Sequence, residues 1–201
     1  MTTPTAPKRY DRAYFDRWYR RGGIGGTRLL ARKVALAVAT AEYHLERPLR
    51  TVLDIGCGEG PWRAPLLKLR PGARYLGFDA SEYAIARYGR SRNLHLARFE
   101  DFALLRPCPP VDLLVCSDVM HYVPTRALDR GLPGLAELCG GVAFLETFAR
   151  EDQAEGDEDG FLARPARFYR RRFEALGFVP LGSHCWLSPA LAGTATALET
   201  P

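Results

Sequence analysis

Thr51-Val-Leu-Asp-Ile-Gly-Cys-Gly-Glu-Gly60 and Leu76-Gly-Phe-Asp-Ala-Ser81 together predict a buried strand, a glycine-rich turn that opens a helix, and a second strand ending in a carboxylate. An open α/β sheet holds a nucleoside in this way: the backbone comes close to the ligand, and an acid serves the ribose hydroxyls. The glycine spacing separates two kinds of cofactor. A dinucleotide turn runs Gly-x-Gly-x-x-Gly, whereas this one runs Gly56-x-Gly58-x-Gly60 and meets Pro61. Asp54 stands just before the turn, where its charge repels a pyrophosphate and favours a cation, directly or through water. A cofactor with a ribose, no pyrophosphate and a positive centre fits best.

Around this stretch the pattern alternates. Strands are predicted at 51–55, 74–79, 94–99, 111–116 and 141–147, with helices near 61–69, 82–89, 126–138 and 164–176. Residues 177–187 predict a closing antiparallel hairpin. Such alternation argues for a parallel sheet with helices on both faces. Ahead of it, residues 10–21 place Tyr10, Tyr14 and Trp18 four apart, beside Phe15 and Tyr19, as the aromatic face of an amphipathic helix. The glycines of 22–26 read as a flexible break, and Thr27 as the cap of a long helix reaching about Glu46. The acidic run 151–160 predicts a mobile loop, and 190–201 a frayed tail.

The first motif closely resembles that of class I S-adenosylmethionine-dependent methyltransferases, and the likeness extends over roughly residues 48–187. The resemblance implies a doubly wound, mostly parallel seven-stranded Rossmann-like sheet with the last strand antiparallel, and S-adenosyl-L-methionine as cofactor. The expected layout is a tail and N-terminal helical lid at 1–47, a core domain at 48–190 and a C-terminal tail at 191–201.

The expected cofactor residues start with the turn (Asp54, Gly56, Cys57, Gly58) and with Asp79 and Ala80 at the end of the second strand. Asp79 is expected to accept from both ribose hydroxyls, because Ser81 can cap the next helix and leave it free. By resemblance, Asp101 and Phe102 follow the acid-then-hydrophobe pattern that serves adenine, ahead of Glu100. Ser117 and Asp118 are expected beside the methionyl end, and Arg28 or Arg32 near the cofactor's carboxylate.

His121 and Tyr122 follow the fourth strand on the acceptor side and are the catalytic candidates. An imidazole titrates near neutrality and suits proton abstraction, although a purely positional histidine is the alternative. A sulfonium is already a potent methyl donor, so alignment alone can suffice. Tyr10, Tyr14, Trp18 and Tyr19 are the expected acceptor-binding aromatics, with simple packing of their helix as the rival account. Cys116 sits in an apolar strand with no basic neighbour to activate it. The Asn-Pro-Pro-Tyr or Asp-Pro-Pro-Tyr tetrapeptide of nucleic-acid amino methylation is missing; Ser117-Asp-Val-Met120 stands there instead.

Composition bounds the remainder. A hydrophobic fraction of 47% and a charged fraction of 25% are those of an ordinary globular domain. No apolar run spans a membrane, and the N-terminus is not a secretory signal. The five cysteines are scattered, fit no metal site, and read as reduced thiols of a cytoplasmic protein. The net charge of +5 comes with short arginine clusters that read as solvated helix faces rather than a nucleic-acid surface. The reading is therefore methyl transfer to a small-molecule acceptor at an oxygen, nitrogen or carbon. Its rivals are an RNA or protein methyltransferase and a non-catalytic nucleoside-binding module.

Overall fold

In the computed structural model, the described residues are 10–21, 26–152 and 157–197, with backbone only for 19–21. Seven strands form one sheet: β1 (Thr51–Ile55), β2 (Arg74–Asp79), β3 (Leu94–Leu96), β4 (Val111–Ser117), β5 (Cys139–Glu146), β6 (Val179–Gly182) and β7 (Cys185–Leu187). Their order is β3-β2-β1-β4-β5-β7-β6. β7 runs antiparallel to both neighbours, and the other pairings are parallel. The strand order reverses between β1 and β4, which is where open α/β sheets leave a crevice at the carboxyl ends of the strands.

The helices are α1 (Arg12–Phe15), continued by a π-helical turn Asp16–Arg21, then α2 (Gly26–Leu45), α3 (Arg63–Leu69), α4 (Glu82–Arg92), α5 (Thr125–Leu138) and α6 (Ala166–Ala175). β1 and β4 are covered on both faces, so they are nearly continuous apolar runs rather than alternating ones. Successive residues still point to opposite faces. Leu53 and Ile55 join Leu128, Leu132 and Leu135 of α5 on one side, while Val52 meets Val34, Ala37, Val38 and Ala41 of α2 on the other. Asp112 ties the start of β4 to the entry of β1. It accepts from Arg47 (2.7 and 3.0 Å), from the Arg50 amide at 2.7 Å and from the Thr51 amide at 3.2 Å.

Two elements differ from the sequence expectation. β3 ends at Leu96, and residues Phe99–Ala103 form a 3-10 turn instead of strand. That turn presses on α5, where a Cβ on Gly131 would lie 2.3 Å from the Phe99 carbonyl and one on Gly134 only 1.8 Å from that of Phe102. Two glycines on one helix face thus let the backbone descend out of strand geometry. Thr27 lies within the first turn of α2, which already begins at Gly26, so it is not the cap. Most of the expected glycine break (22–25) and part of the acidic run (153–156) lie outside the described residues, as do 198–201 of the tail.

The N-terminal helix rests on the domain. Asp11 caps α1 by accepting from the Tyr14 amide at 3.1 Å, and Phe15 is only 1% exposed, stacked on Tyr83 with ring centroids 5.7 Å apart. Among the described residues, no helix is long and apolar enough to cross a membrane.

Candidate active site

The floor of the site is the turn after β1. The amides of Gly56 and Cys57 both donate to the Phe78 carbonyl, at 2.8 and 3.0 Å, which stitches the turn to β2. Gly56 and Gly58 have φ of +75° and +53°, in the left-handed region where a side chain is strained. A Cβ on Gly56 would also strike Val119 at 2.3 Å.

Asp79 locks this turn from the end of β2. Its Oδ2 accepts from the Gly58 amide at 2.7 Å and its Oδ1 from the Ser81 amide at 2.8 Å. The carboxylate is therefore not free, as the sequence suggested, although each oxygen keeps a second lone pair for a ligand hydroxyl. Burial raises its pKa, while the two amides pull it back down. Ser81 does cap α4, accepting from the Ala84 amide at 3.1 Å, and its hydroxyl donates to the Tyr10 carbonyl at 2.5 Å.

Beside Asp79 and Ala80 lies a slot of about 220 Å³ with walls that include Ile55, Ala97, Phe99, Val119, Tyr10 and Tyr14. It is mostly apolar, with Glu100, Asp79 and Asp118 as its carboxylates. Asp101 and Phe102 do not line it. Asp101 is exposed and its Oδ2 accepts from the Arg98 amide at 2.8 Å, whereas Phe102 is fully buried, edge-on to Phe78. The acid and the ring that line the slot are instead Glu100 and Phe99.

A second cavity, of about 850 Å³, adjoins the slot and shares Tyr14, Gly56, Asp118 and Tyr122 with it. Asp54, Cys57 and Ser117 line it as well. Asp54 is 2% exposed, and burial pushes its pKa up to about 7, against the hydrogen bond from the Tyr75 hydroxyl at 2.6 Å. Ser117 donates to Glu146 Oε2 at 2.5 Å, and Lys33 Nζ pairs with Glu146 Oε1 at 2.5 Å. Glu146 and Lys33 have no motif around them in the sequence. They meet because β5 ends level with β4 while α2 crosses above both. Arg28 and Arg32 point outward and line neither cavity.

His121 is 1% exposed. Its Nδ1 accepts from the Phe148 amide at 3.3 Å, which places the ring proton of the neutral form on Nε2, 3.2 Å from Asp118 Oδ1. Both ring nitrogens are thus engaged within the chain, and the residue also lines the larger cavity. The ring also packs against Tyr122, Phe148 and Phe161. Tyr122 lines both cavities and donates to the Asp157 carbonyl at 2.7 Å. Burial first, then Asp118 and Asp157, raises its pKa, so the phenol stays neutral. Cys116 is fully buried, and burial pushes its thiol up as well.

Arg164, unnoticed in the sequence, clamps this segment. Its guanidinium donates to the carbonyls of Met120 (3.2 Å) and Val123 (2.7 Å) and to the Thr125 hydroxyl at 3.1 Å. Of the N-terminal aromatics, Tyr10 and Tyr14 line the slot, and Tyr14 and Trp18 the larger cavity. The side chain of Tyr19 lies outside the described residues.

The arrangement offers an apolar slot for a planar ring, a carboxylate for a diol, a turn of close backbone, and a larger chamber in which a second molecule meets the first. A family described as a methyltransferase domain matches residues 53–140. The chain is 32% identical over 155 residues to trans-aconitate 2-methyltransferase of Azoarcus sp. strain BH72, covering 74% of this chain and 58% of that protein. It is 31% identical over 154 residues to the trans-aconitate 2-methyltransferase of Deinococcus radiodurans, covering 76% and 57%. The chain thus spans under three fifths of the length of these curated relatives. Its fold is similar to that of magnesium protoporphyrin IX methyltransferase from Synechocystis PCC 6803 with bound SAH, at a TM-score of 0.63 and 19% identity over 89% of this chain and 96% of that one.

Proposed function

We propose that this chain, which belongs to the class I S-adenosylmethionine-dependent methyltransferases, transfers a methyl group from S-adenosyl-L-methionine to a small-molecule acceptor. The observation that carries the reading is the pairing of the two cavities across Gly56, with Asp79 at the slot and Asp54 in the larger chamber. An apolar slot closed by carboxylates suits an adenosine, and the unbranched backbone at Gly56 and Gly58 leaves room for it beside the turn.

In this reading Ala97 and Phe99 flank the adenine and Glu100 accepts from its amino group. The second lone pairs of Asp79 accept from the ribose. Gly56, Cys57 and Ser117 border the amino-acid end, where Asp54 answers its ammonium. When bound, S-adenosylmethionine supplies a methyl group already activated by the sulfonium. The chain's own contribution is then alignment and exclusion of water. Tyr14, Trp18 and Tyr122 hold the acceptor beside the slot, and His121 keeps Asp118 and the Tyr122 ring in place. The helix Arg12–Phe15 and the turn after it act as a cover over the slot. Five unpaired cysteines are in keeping with a reducing, cytoplasmic setting.

Calorimetry with S-adenosylhomocysteine and with NADH tests the cofactor half. Binding of the first and not the second is expected, and the reverse would overturn the reading. Transfer of a labelled methyl group from S-adenosylmethionine to extracted small molecules tests the acceptor half.

A further inference from the structure

We propose that the acceptor is a small amine, cationic in solution and carrying an apolar or aromatic body; the inference rests on the methyltransferase reading and deepens it. Among the described residues, the larger cavity is lined by six carboxylates but only one lysine and one arginine. Lys33 is paired with Glu146 at 2.5 Å, which leaves Arg150 to set against the remaining carboxylates, so the described lining is acidic on balance.

Several of the carboxylates have partners within the chain: Asp118 faces His121 Nε2 at 3.2 Å, Asp152 accepts from the Ala149 amide at 2.7 Å and Asp157 from the Asp159 amide at 3.0 Å. Asp54 belongs to the cofactor end, and Glu146 to Lys33 and Ser117. Asp118, Asp152, Asp157 and Glu158 come from the end of β4 and the segment after β5, the side from which a second molecule enters. Asp118 faces the chamber with 53% of its side chain exposed.

The walls between these acids are aromatic: Tyr14, Trp18, Tyr122, Phe148 and Phe161. Ring faces attract a cation, and a carboxylate at the rim adds to that attraction, which is how ammonium groups are recognised in aromatic sites. The phenols at the junction of the two cavities sense the same field. Burial, then Asp79, Asp157, Asp159 and Asp118, push the Tyr10 pKa up to about 12. A tricarboxylate such as trans-aconitate, the acceptor named for the curated relatives, would meet more like charge than opposite charge here.

The chemistry closes. The amine enters as an ammonium and loses one proton to bulk water, and its nitrogen lone pair then forms the new N–C bond. The C–S bond breaks with its electron pair going to sulfur, so the positive charge passes from sulfur to the methylated nitrogen.

The test uses the full chain saturated with S-adenosylhomocysteine, whose own binding is measured first. If that ligand does not bind, the methyltransferase reading falls and this inference with it. The probes are 3-phenylpropylamine, 3-phenylpropan-1-ol, 3-phenylpropanoate and trans-aconitate, titrated by calorimetry at low salt. The amine should bind at least about tenfold more tightly than the alcohol, and neither carboxylate should compete with it. Raising the salt should shrink that preference. Glu158→Lys, at an exposed position that does not line the slot, should cut the amine's advantage by about tenfold and leave S-adenosylhomocysteine binding unchanged. Equal or tighter binding of either carboxylate, no binding of the amine, or methylation of trans-aconitate would overturn the amine assignment alone.

Discussion

The Tyr75 hydroxyl donates to Asp54 Oδ2 across 2.6 Å, joining the centres of two neighbouring strands inside the domain. Burial holds the Asp54 pKa at about 7 in the folded protein, whereas an unfolded aspartate titrates near 4. Between those values the folded state keeps a proton that the unfolded state has released. Asp54 therefore makes the fold less stable as pH rises from about 4 to 7, and its contribution is flat outside that window.

A cation brought to Asp54 reverses this preference and expels the proton. We expect S-adenosylhomocysteine, through its ammonium, to release roughly half a proton or more on binding at pH 6.5. Calorimetry in two buffers of different ionisation enthalpy measures it. Tyr75→Phe removes a bond that favours the ionised form, so Asp54 should titrate higher and binding at pH 7.5 should release more protons than in the parent. Asp54→Asn should abolish the release. An unchanged release in Asp54→Asn would assign the proton to another group.

Asp79 has two duties, and its variants should separate them. The carboxylate organises the turn through the Gly58 and Ser81 amides and has lone pairs left for a ribose. Asp79→Asn keeps one acceptor oxygen and loses the charge. It should weaken S-adenosylhomocysteine binding by about 1.5–3 kcal/mol, the scale of hydrogen bonds to a charged group. Asp79→Ala should add a loss of thermal stability, because two backbone amides lose their acceptor. Normal binding by both variants would remove Asp79 from the site.

Gly56→Ala tests the closeness of the turn. The new methyl combines a left-handed φ with a 2.3 Å approach to Val119, which begins the segment carrying His121 and Tyr122. Strain and overpacking together should cost about 2–4 kcal/mol, and a domain of this size loses about 2–4 °C in Tm for each. Gly72→Ala, with nothing within 4 Å and an ordinary φ, is the control and should be neutral or slightly stabilising.

Arg164 bridges the carbonyls of Met120 and Val123 with separate guanidinium nitrogens, so a lysine cannot replace it. Arg164→Lys should lower kcat for methyl transfer with little effect on S-adenosylhomocysteine affinity, because the cofactor turn is held elsewhere. Equal losses of both would point to general destabilisation instead.

What the sequence revealed and what it hid follow from the range of each interaction. The Gly56–Gly60 turn, the place of Asp79 at a strand end and the alternation of strands with helices were legible because one βα unit contains its own signals: apolar run, glycine spacing, terminal acid. The stretch after β3 was misjudged because the glycines that make it a 3-10 turn lie in α5, more than thirty residues away. The acid-then-hydrophobe pattern pointed to Asp101, whereas Glu100 lines the slot. Lys33, Glu146 and Arg164 were missed for the same reason. Each is an unremarkable charge on its own element and acquires a partner only when β5, α2 and the 148–165 segment converge.

The helix Arg12–Phe15 and the turn Asp16–Arg21 invite two accounts that make opposite predictions. Phe15 is buried against Tyr83, an anchor that favours a fixed element and should contribute about 1.5–3 kcal/mol by its burial alone. Another tie is Ser81, whose hydroxyl holds the Tyr10 carbonyl and whose amide is held by Asp79. A ligand that engages Asp79 therefore steadies the same residue that fastens the helix. We expect the helix to open at a free energy well below that of the whole domain, and to close when the slot fills. In hydrogen exchange, amides 12–21 should exchange faster than those of 51–55 and 111–117 in the free protein and gain protection with S-adenosylhomocysteine. Phe15→Ala should weaken that ligand and abolish the gain while leaving Tm nearly unchanged. Full protection without ligand, together with a Tm drop of many degrees in Phe15→Ala, would make the helix a permanent part of the core and leave the slot without a cover.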